Sequence, residues 1–437
     1  MDKRYDEHYV RSVVTLGDSR DVYTNQAIFT SKKIKLVEKG TKIDSSLYDR
    51  LVSHKLIPKI DDCLSVENGI TSESLRKYAQ DLLDKDPGMA VLSRQRSIRE
   101  RMLNAFSDIN LLAPLAFKLT VASTQRPEVF DHSIRVALIS LYLGRKSAFF
   151  SGKEMASLAT AAVFHDLGIL HVSRELMQPG RRLGESERHH LYAHPITGFM
   201  ILSEYPEYHP DISRTVFEHH ERLDGSGYPR GLKEDEICFG AQILMLAEVV
   251  NTVFERTPAS QSLAKLSILL RMNLKKFNSD ICNNLVTILN DIKNDVPVVN
   301  DESRPFAEPA KLKSRLIEVS QIFQDWKSAS LCVSDNSGKH SPDSLWSIID
   351  VRIADLKRTL LPTGFDLEQP ETLVDILRGD PEALSELDIL IGETRWQLAE
   401  IIYEVHRRIS DMTESLAALQ PSIVSWLEQS KKIIKQS

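Results

Sequence analysis

Nine of the thirteen histidines of this 437-residue chain fall between His132 and His220, a stretch of 89 residues; the other 348 residues hold four. A lone histidine is usually a surface or satisfied core residue. A cluster interleaved with Asp and Glu is the pattern of a metal site. Glu128 and His132 stand four apart in PEVFDHSIRVALIS, so on a helix they share a face. His165-Asp166 sits in TAAVFHDLGIL, where the apolar stretch reads as a buried helix and Gly168 fits its end. Adjacent helical residues point about 100° apart, so this pair converges on one ion only near a helix end or bend. His194 opens HPITG, and His219-His220 open HHERLDGSGYPRG. Glu248 lies in the apolar helix AQILMLAEVVNTVF, where an unpartnered carboxylate is costly and a metal would be its partner.

These positions recur at roughly one helix-turn-helix interval, so helices of a bundle can each project one or two ligands into a common core. The donors are nitrogen and oxygen without thiolate, which suits Fe, Mn or Zn and not a structural zinc site. Their number exceeds what one tetrahedral ion takes. It points to two or three metals, an arrangement that binds both attacking and leaving oxygens of a phosphoryl displacement.

The rest of the chain sets bounds. With 42% hydrophobic and 27% charged residues it is an ordinary globular composition, long enough for two to four domains. The net charge of −6 argues against a general nucleic-acid binder, so no DNA partner is expected, while a small anion held by local cations stays open. Cys63, Cys238, Cys282 and Cys332 form no CxxC pair, which fits a reducing compartment. MDKRYDEHYV holds no signal-peptide core and no apolar run approaches the roughly 20 residues of a membrane span. The expectation is a soluble cytoplasmic protein.

Residues 1–70 read as a small α+β module, with short strands in Ala27–Ile43 and an amphipathic helix over Leu47–Ile57. Residues 71–109 read as a helical connector, with helices over Ser72–Leu83 and Val91–Phe106. The histidine-rich domain takes 110–295, and Glu302–Pro309 is a polar boundary with two prolines. Residues 296–437 form a C-terminal helical region, with helices Lys311–Ser328 and Leu345–Leu361 around the linker SDNSGKHSPDS. Leu398, Ile402, Val405, Ile409, Met412, Leu416 and Leu419 make a heptad seam ended by Pro421. That seam serves either one helix of a local antiparallel bundle or a dimerisation coiled coil, hence a homodimer through the C-terminal helices.

The motifs HSIRVA from His132, HDLG from His165, HPITG from His194 and HHERLDGSGYP from His219 to Pro229 resemble the HD-GYP subgroup of the HD-domain phosphohydrolases. The resemblance covers about 110–295. It implies a mainly α fold: an HD-type helical bundle, here with a small N-terminal α+β module and a C-terminal helical extension. It implies a cyclic di-GMP phosphodiesterase of bacterial second-messenger signalling, some members acting on related cyclic dinucleotides, with two or three divalent metal ions, Fe or Mn. Carried over, the ligands are His132, His165, Asp166, His194, His219 and His220, with Asp166 bridging. Glu128 takes the third-metal position, and Glu248 stands where the family has a ligand Asp. Tyr228, Gly227 and the turn at Asp224 would line the substrate mouth, and this loop is implicated in docking GGDEF-domain proteins. The residues expected to carry the chemistry are Asp166, His165 and Arg256, the last also as a phosphate contact. Asp224 itself reads more as a turn-shaping residue than as a ligand.

Three departures qualify the resemblance. Ile169 replaces a phosphate-contacting lysine, Glu248 replaces the aspartate and reaches one methylene further, and the segment DRPYR appears as ERTPA. Arg256 survives there and Ala259 replaces a basic residue. Two charge-assisted contacts at about 1.5–3 kcal/mol each would then be missing, which unreplaced costs roughly 10²–10⁴ in substrate or transition-state binding. Two functions follow. One is hydrolysis of cyclic di-GMP to the linear dinucleotide, with GMP after a second cut. The other is a catalytically weak protein that acts as a cyclic-dinucleotide receptor or docking scaffold.

Overall fold

The structure is a computed structural model describing residues 6–93, 95–145, 152–178, 181, 183–257, 259–286, 308–334, 345–361, 370–411 and 421–435. It divides into one unit of Met1–Ala259 with Leu274–Val296 and a second of Ser260–Asn273 with Pro297–Ser437.

The first unit opens with helix Glu7–Ser19, which buries Tyr9, Val10, Val13, Val14 and Leu16 on one face. Five short strands follow: β1 Val22–Thr24, β2 Ile28–Thr30, β3 Lys35–Val37, β4 Leu56–Ile57 and β5 Leu64–Val66. β1 pairs antiparallel with β5, and β2 lies between β3 and β4, also antiparallel, with Ile28 opposite Val37 and Phe29 opposite Ile57. The helix expected over Leu47–Ile57 is only Tyr48–Val52, and the chain then becomes β4. Ile57 precedes Pro58, whose ring drives the preceding residue out of the helical region. The helix expected over Val91–Phe106 is likewise shorter, Arg96–Ser107. Before it, Asp86 caps a four-residue helix with Pro87 at its first position, and a 3₁₀ turn spans Val91–Ser93.

The site rests on a bundle whose central helices are buried nearly all round. Pro127–Gly144 buries Val136 through Leu143, and Gly152–Phe164 buries Leu158 through Phe164. Ala241 and Ile243 through Ala247 are buried in Phe239–Arg256. Helices so apolar are core elements, which leaves their few polar side chains aimed into the protein. Arg135 anchors the outside of this core, pairing with Asp131 at 2.6 Å and with Asp86 at 2.7 Å.

The strand module joins this bundle through a buried polar cluster. Lys118 Nζ lies 2.7 Å from Asp61 Oδ2 with both side chains buried, and it sits 3.8 Å above the Tyr9 ring. The Tyr9 hydroxyl donates to Asp61. The His171 ring stacks on Tyr9 at 4.9 Å and its Nδ1 lies 2.7 Å from Asp6 Oδ1.

The second unit is helical in its described residues: Pro309–Ser334, Leu345–Leu360, Pro370–Leu377, Pro381–Asp411 and Pro421–Lys435. Its core contains Leu316, Phe323, Trp326, Ile349, Ile391, Trp426 and also Ile268 and Met272 of helix Ala259–Met272. Leu398, Ile402 and Val405 of the heptad seam are buried in this same core, so that part of the seam is satisfied within the chain. The side chain of Ile409, the seam positions Met412, Leu416 and Leu419, and most of the expected boundary and linker lie outside the described residues. Among the described residues no helix is long and apolar enough to cross a membrane.

Candidate metal centre

Three of the five segments that carry the centre present their ligands at a helix end. Helix Gly152–Phe164 stops at Phe164, so His165 and Asp166 sit in the turn that follows and converge. His194 is the first residue of His194–Leu202, with Pro195 behind it. His219 and His220 follow Pro210–Glu218 directly. Glu128 and His132 lie near the start of Pro127–Gly144, whereas Glu248 projects from the middle of Phe239–Arg256.

The same anchoring recurs at three imidazoles. Nδ1 of His165 lies 2.7 Å from Ala162 O, Nδ1 of His194 lies 2.7 Å from Leu191 O, and Nδ1 of His219 lies 2.6 Å from Val216 O. A carbonyl only accepts, so each Nδ1 carries the proton and each Nε2 presents its lone pair. Those lone pairs meet inside the protein. His194 Nε2 is 3.3 Å from His219 Nε2 and 3.2 Å from His220 Nε2. His165 Nε2 is 2.9 Å from Glu248 Oε1 and buried, yet makes no hydrogen bond. Nitrogen and oxygen donor atoms that converge this closely are aimed at shared points, and a divalent cation fits there.

Among the described residues three groups have this geometry: His132, His165 and Glu248; His194, His219 and His220; and His165, Asp166 and His219, each with its atoms within 4.8 Å. Asp166 lies between the first two. Its Oδ2 is 3.4 Å from His165 Nε2 and 3.8 Å from His132 Nε2, and its Oδ1 is 3.2 Å from His194 Nε2. One carboxylate oxygen thus faces each group. Glu248 uses its extra methylene to reach His132 at 3.1 Å as well as His165.

The electrostatics divide along the same line. Burial, with the fields of His165 and His194, pushes His219 down to about 3, and burial and His219 hold His220 well below the ordinary value. His165 and His132 are raised, because Asp166 and Glu248 outweigh burial. Both carboxylates are held well below their usual range by those imidazoles, again against burial. The anionic side and the neutral side together form a pocket of mixed O and N donors suited to Fe, Mn or Zn.

Several expected site residues stand elsewhere. Glu128 is not in these groups; its carboxylate lies 3.1 Å from Arg126 Nε and 3.8 Å from Arg174. Ile169 is buried at 2% exposure. Arg256 ends its helix, but its side chain and that of Ala259 lie outside what is described. Asp224 shapes a turn, accepting from Ser226 N at 3.0 Å and from Ser226 Oγ. Gly227 lies so close to the backbone of Glu221 and Arg222 that a Cβ would come within 2.3–2.4 Å of it, which fixes the loop below Tyr228.

Other residues complete the site without a signal strong enough to single them out in the sequence. Glu221 Oε1 and Oε2 accept from Arg230 N at 2.7 Å and Leu232 N at 2.9 Å, and Glu218 accepts from Arg214, Arg230 and Cys238 N. These two buried carboxylates hold the Gly-rich loop. The amide Nδ2 of Asn251, one helical turn after Glu248, lies 2.9 Å from His132 Nδ1. Arg126 acts electrostatically on Asp166, and Arg222 on Glu248; burial lowers both guanidinium pKa values.

A Cβ on Gly168 would lie 2.1 Å from His194 O. Gly168→Ala is therefore expected to push the His165-Asp166 turn away from His194, at a cost of about 1–3 kcal/mol. The check is divalent metal per folded chain by elemental analysis; a parental content would show that the turn tolerates the methyl group.

Residues 118–281 match the HD domain family. The 3'3'-cGAMP-specific phosphodiesterase 3 of Vibrio cholerae is 26% identical over 222 residues, 50% of this chain and 45% of that protein. The cyclic di-GMP phosphodiesterase response regulator RpfG of Xanthomonas campestris is 27% identical over 202 residues, 44% of this chain and 52% of that protein. The cyclic di-GMP phosphodiesterase of Thermotoga maritima is 33% identical over 133 residues, 30% of this chain and 36% of that protein. The chain thus spans about half or less of the length of these relatives. Residues 118–281 are thus an HD domain, and the ordered histidine motifs and the HHERLDGSGYP loop give it the character of the HD-GYP subgroup.

Proposed function

We propose that the chain is a metal-dependent phosphodiesterase that opens cyclic di-GMP to the linear dinucleotide, with GMP as the product of a second cut. The observation that carries the reading is Asp166, with one oxygen facing each of two donor groups. Divalent metals bound there, Fe or Mn, would supply Lewis acidity to activate water and neutralise charge on the phosphoryl oxygens. His165, His194 and His219 would keep their Nε2 atoms in place through their backbone carbonyl bonds. Tyr228 stacks on His220 at 4.7 Å and would wall the substrate side. 3'3'-cGAMP is the competing substrate, since relatives named for each are similarly distant.

A second reading is a receptor or docking scaffold that holds the nucleotide without cutting it, with GGDEF-domain proteins as partners at the Gly-rich loop. It is favoured by the burial of Ile169, which offers a phosphate nothing, and by the engagement of Arg126 with Glu128.

The test is turnover by the full chain purified without oxygen and loaded with Fe(II) or Mn(II). Cyclic di-GMP and 3'3'-cGAMP are supplied separately, and linear product and mononucleotide are quantified. Product formation that a chelator stops and metal restores supports the enzyme. Bound, uncut nucleotide at full metal content supports the receptor. A metal-loaded chain that neither binds nor cuts either nucleotide sinks both readings.

A further inference from the structure

One guanidinium beside the metal centre is buried yet poorly bonded. Arg126 is 4% exposed. Among the described residues its Nε donates to Glu128 Oε1 at 3.1 Å, its Nη1 to Val172 O at a long 3.4 Å, and its Nη2 to the Met177 sulfur at 3.0 Å. A thioether is a weak acceptor, whereas a buried cation ordinarily has strong ones. The one carboxylate is also shared, since Glu128 Oε2 lies 3.8 Å from Arg174 Nη2. Two guanidinium groups thus face a single carboxylate.

The turn after Asp166 fixes where this pair stands. Val172 closes the turn Leu167–His171; its N–H donates to Ile169 O at 3.0 Å, and the Ile169 N–H donates to Asp166 O at 2.9 Å. Arg126 therefore grips the far end of a turn that begins at the carboxylate between the two donor groups. It feels the charge of Asp166 but makes no ion pair with it among the described residues, so it stands beside the centre and not within it. Ile169 of the same turn is buried and offers an anion nothing. The side chains that cover Arg126 reach water: Met177 is 38% exposed and the Glu128 side chain 47%. An arriving anion can displace both, and a phosphate gives the guanidinium fork the paired oxygens that a sulfur does not.

A cyclic dinucleotide carries two phosphodiesters, and one of them lies off the metals while the other is cut. Resting on the reading of the centre as a cyclic-dinucleotide site, we infer that Arg126, with Arg174, binds that second phosphodiester, taking its oxygens in exchange for Glu128 and the Met177 sulfur. Arg126 is then a substrate-binding residue of this chain, and Glu128 is the internal anion that the phosphate displaces.

The test uses the full Mn(II)-loaded chain. KM and Kd are measured for cyclic di-GMP, and KM for bis(p-nitrophenyl) phosphate, a diester with a single phosphate. Arg126→Gln is expected to raise KM and Kd for the dinucleotide about tenfold or more, with a much smaller change for the single-phosphate diester and parental metal content. Arg174→Gln, at an exposed position, is expected to raise them about two- to threefold. Glu128→Gln removes the competing carboxylate and is expected to lower them by a similar factor. An Arg126→Gln chain with parental KM and Kd overturns the contact alone. Equal losses on both substrates, or a loss of metal, make Arg126 a support of the centre and also overturn it. If Arg126→Gln does not fold, Glu128→Gln decides, and an unchanged or raised KM overturns the contact. A parent that binds cyclic di-GMP uncut overturns hydrolysis, while the same Kd shifts uphold the contact. A parent that neither binds nor cuts it overturns the reading of the centre and the contact together.

Discussion

Asp166→Ala is expected to lower turnover of the metal-loaded chain by at least about 10³-fold and to reduce its metal content. The size follows from position. Asp166 is the carboxylate whose two oxygens face His165 and His132 on one side and His194 on the other. If the two donor groups each held a divalent cation, the Asp166 carboxylate would offset their mutual repulsion. Without Asp166 the carboxylate left in these donor groups is Glu248, which faces only His132 and His165. The decisive measurements are elemental analysis and single-turnover cleavage on the same preparation. A variant with parental metal content and rate would remove Asp166 from the chemistry and with it the main support for a joined centre.

The largest effect on stability is expected at Asp61. Asp61→Ala removes the partner of a buried ammonium, since Lys118 Nζ lies 2.7 Å from Asp61 Oδ2 in a setting with little water. It also deprives the buried Tyr9 hydroxyl of its acceptor. Breaking one side of such a pair costs about 3–5 kcal/mol, because the charge left behind has no partner. The thermal midpoint should fall on the order of 10 °C, read by circular dichroism. Asp61→Leu combined with Lys118→Met replaces the pair by apolar groups and should regain most of the loss. If Asp61→Ala melts within a degree or two of the parent, the cluster is not what fastens the strand module to the bundle.

Much of the centre was legible because its geometry is local. His165-Asp166 converge only at a helix end, and the helix does end at Phe164. Asp224 forms the turn that its residue type suggests. Glu128 marks where helical spacing stops being informative: it puts the residue on the face of His132, but Arg126 from the preceding turn takes its carboxylate. Helical spacing puts a residue on a face but does not say which neighbour its side chain pairs with, here Arg126 only two residues upstream. The same reason hid Asn251 and the buried carboxylates Glu218 and Glu221, whose partners lie in other segments or across a loop. In the strand module, pairing of Leu56 and Ile57 with β2 overrode an apolar spacing that looked helical over Leu47–Ile57.

The division of the chain has a consequence of connectivity. Ser260–Asn273 belongs with the second unit, while the residues on either side of it belong with the first. That segment is a loop in the topological sense, tied at both ends to parts of the metal site. Upstream, the tie begins just past the helix bearing Glu248, which ends at Arg256. Downstream, it returns at Leu274, beside Lys276, whose carbonyl accepts from Leu223 N at the base of the Gly-rich loop, and Phe277, whose ring lies under Arg222. A single cut cannot separate the two units, because the inserted segment is joined covalently to the helix that bears Glu248 on one side and to the residues beside the Gly-rich loop on the other.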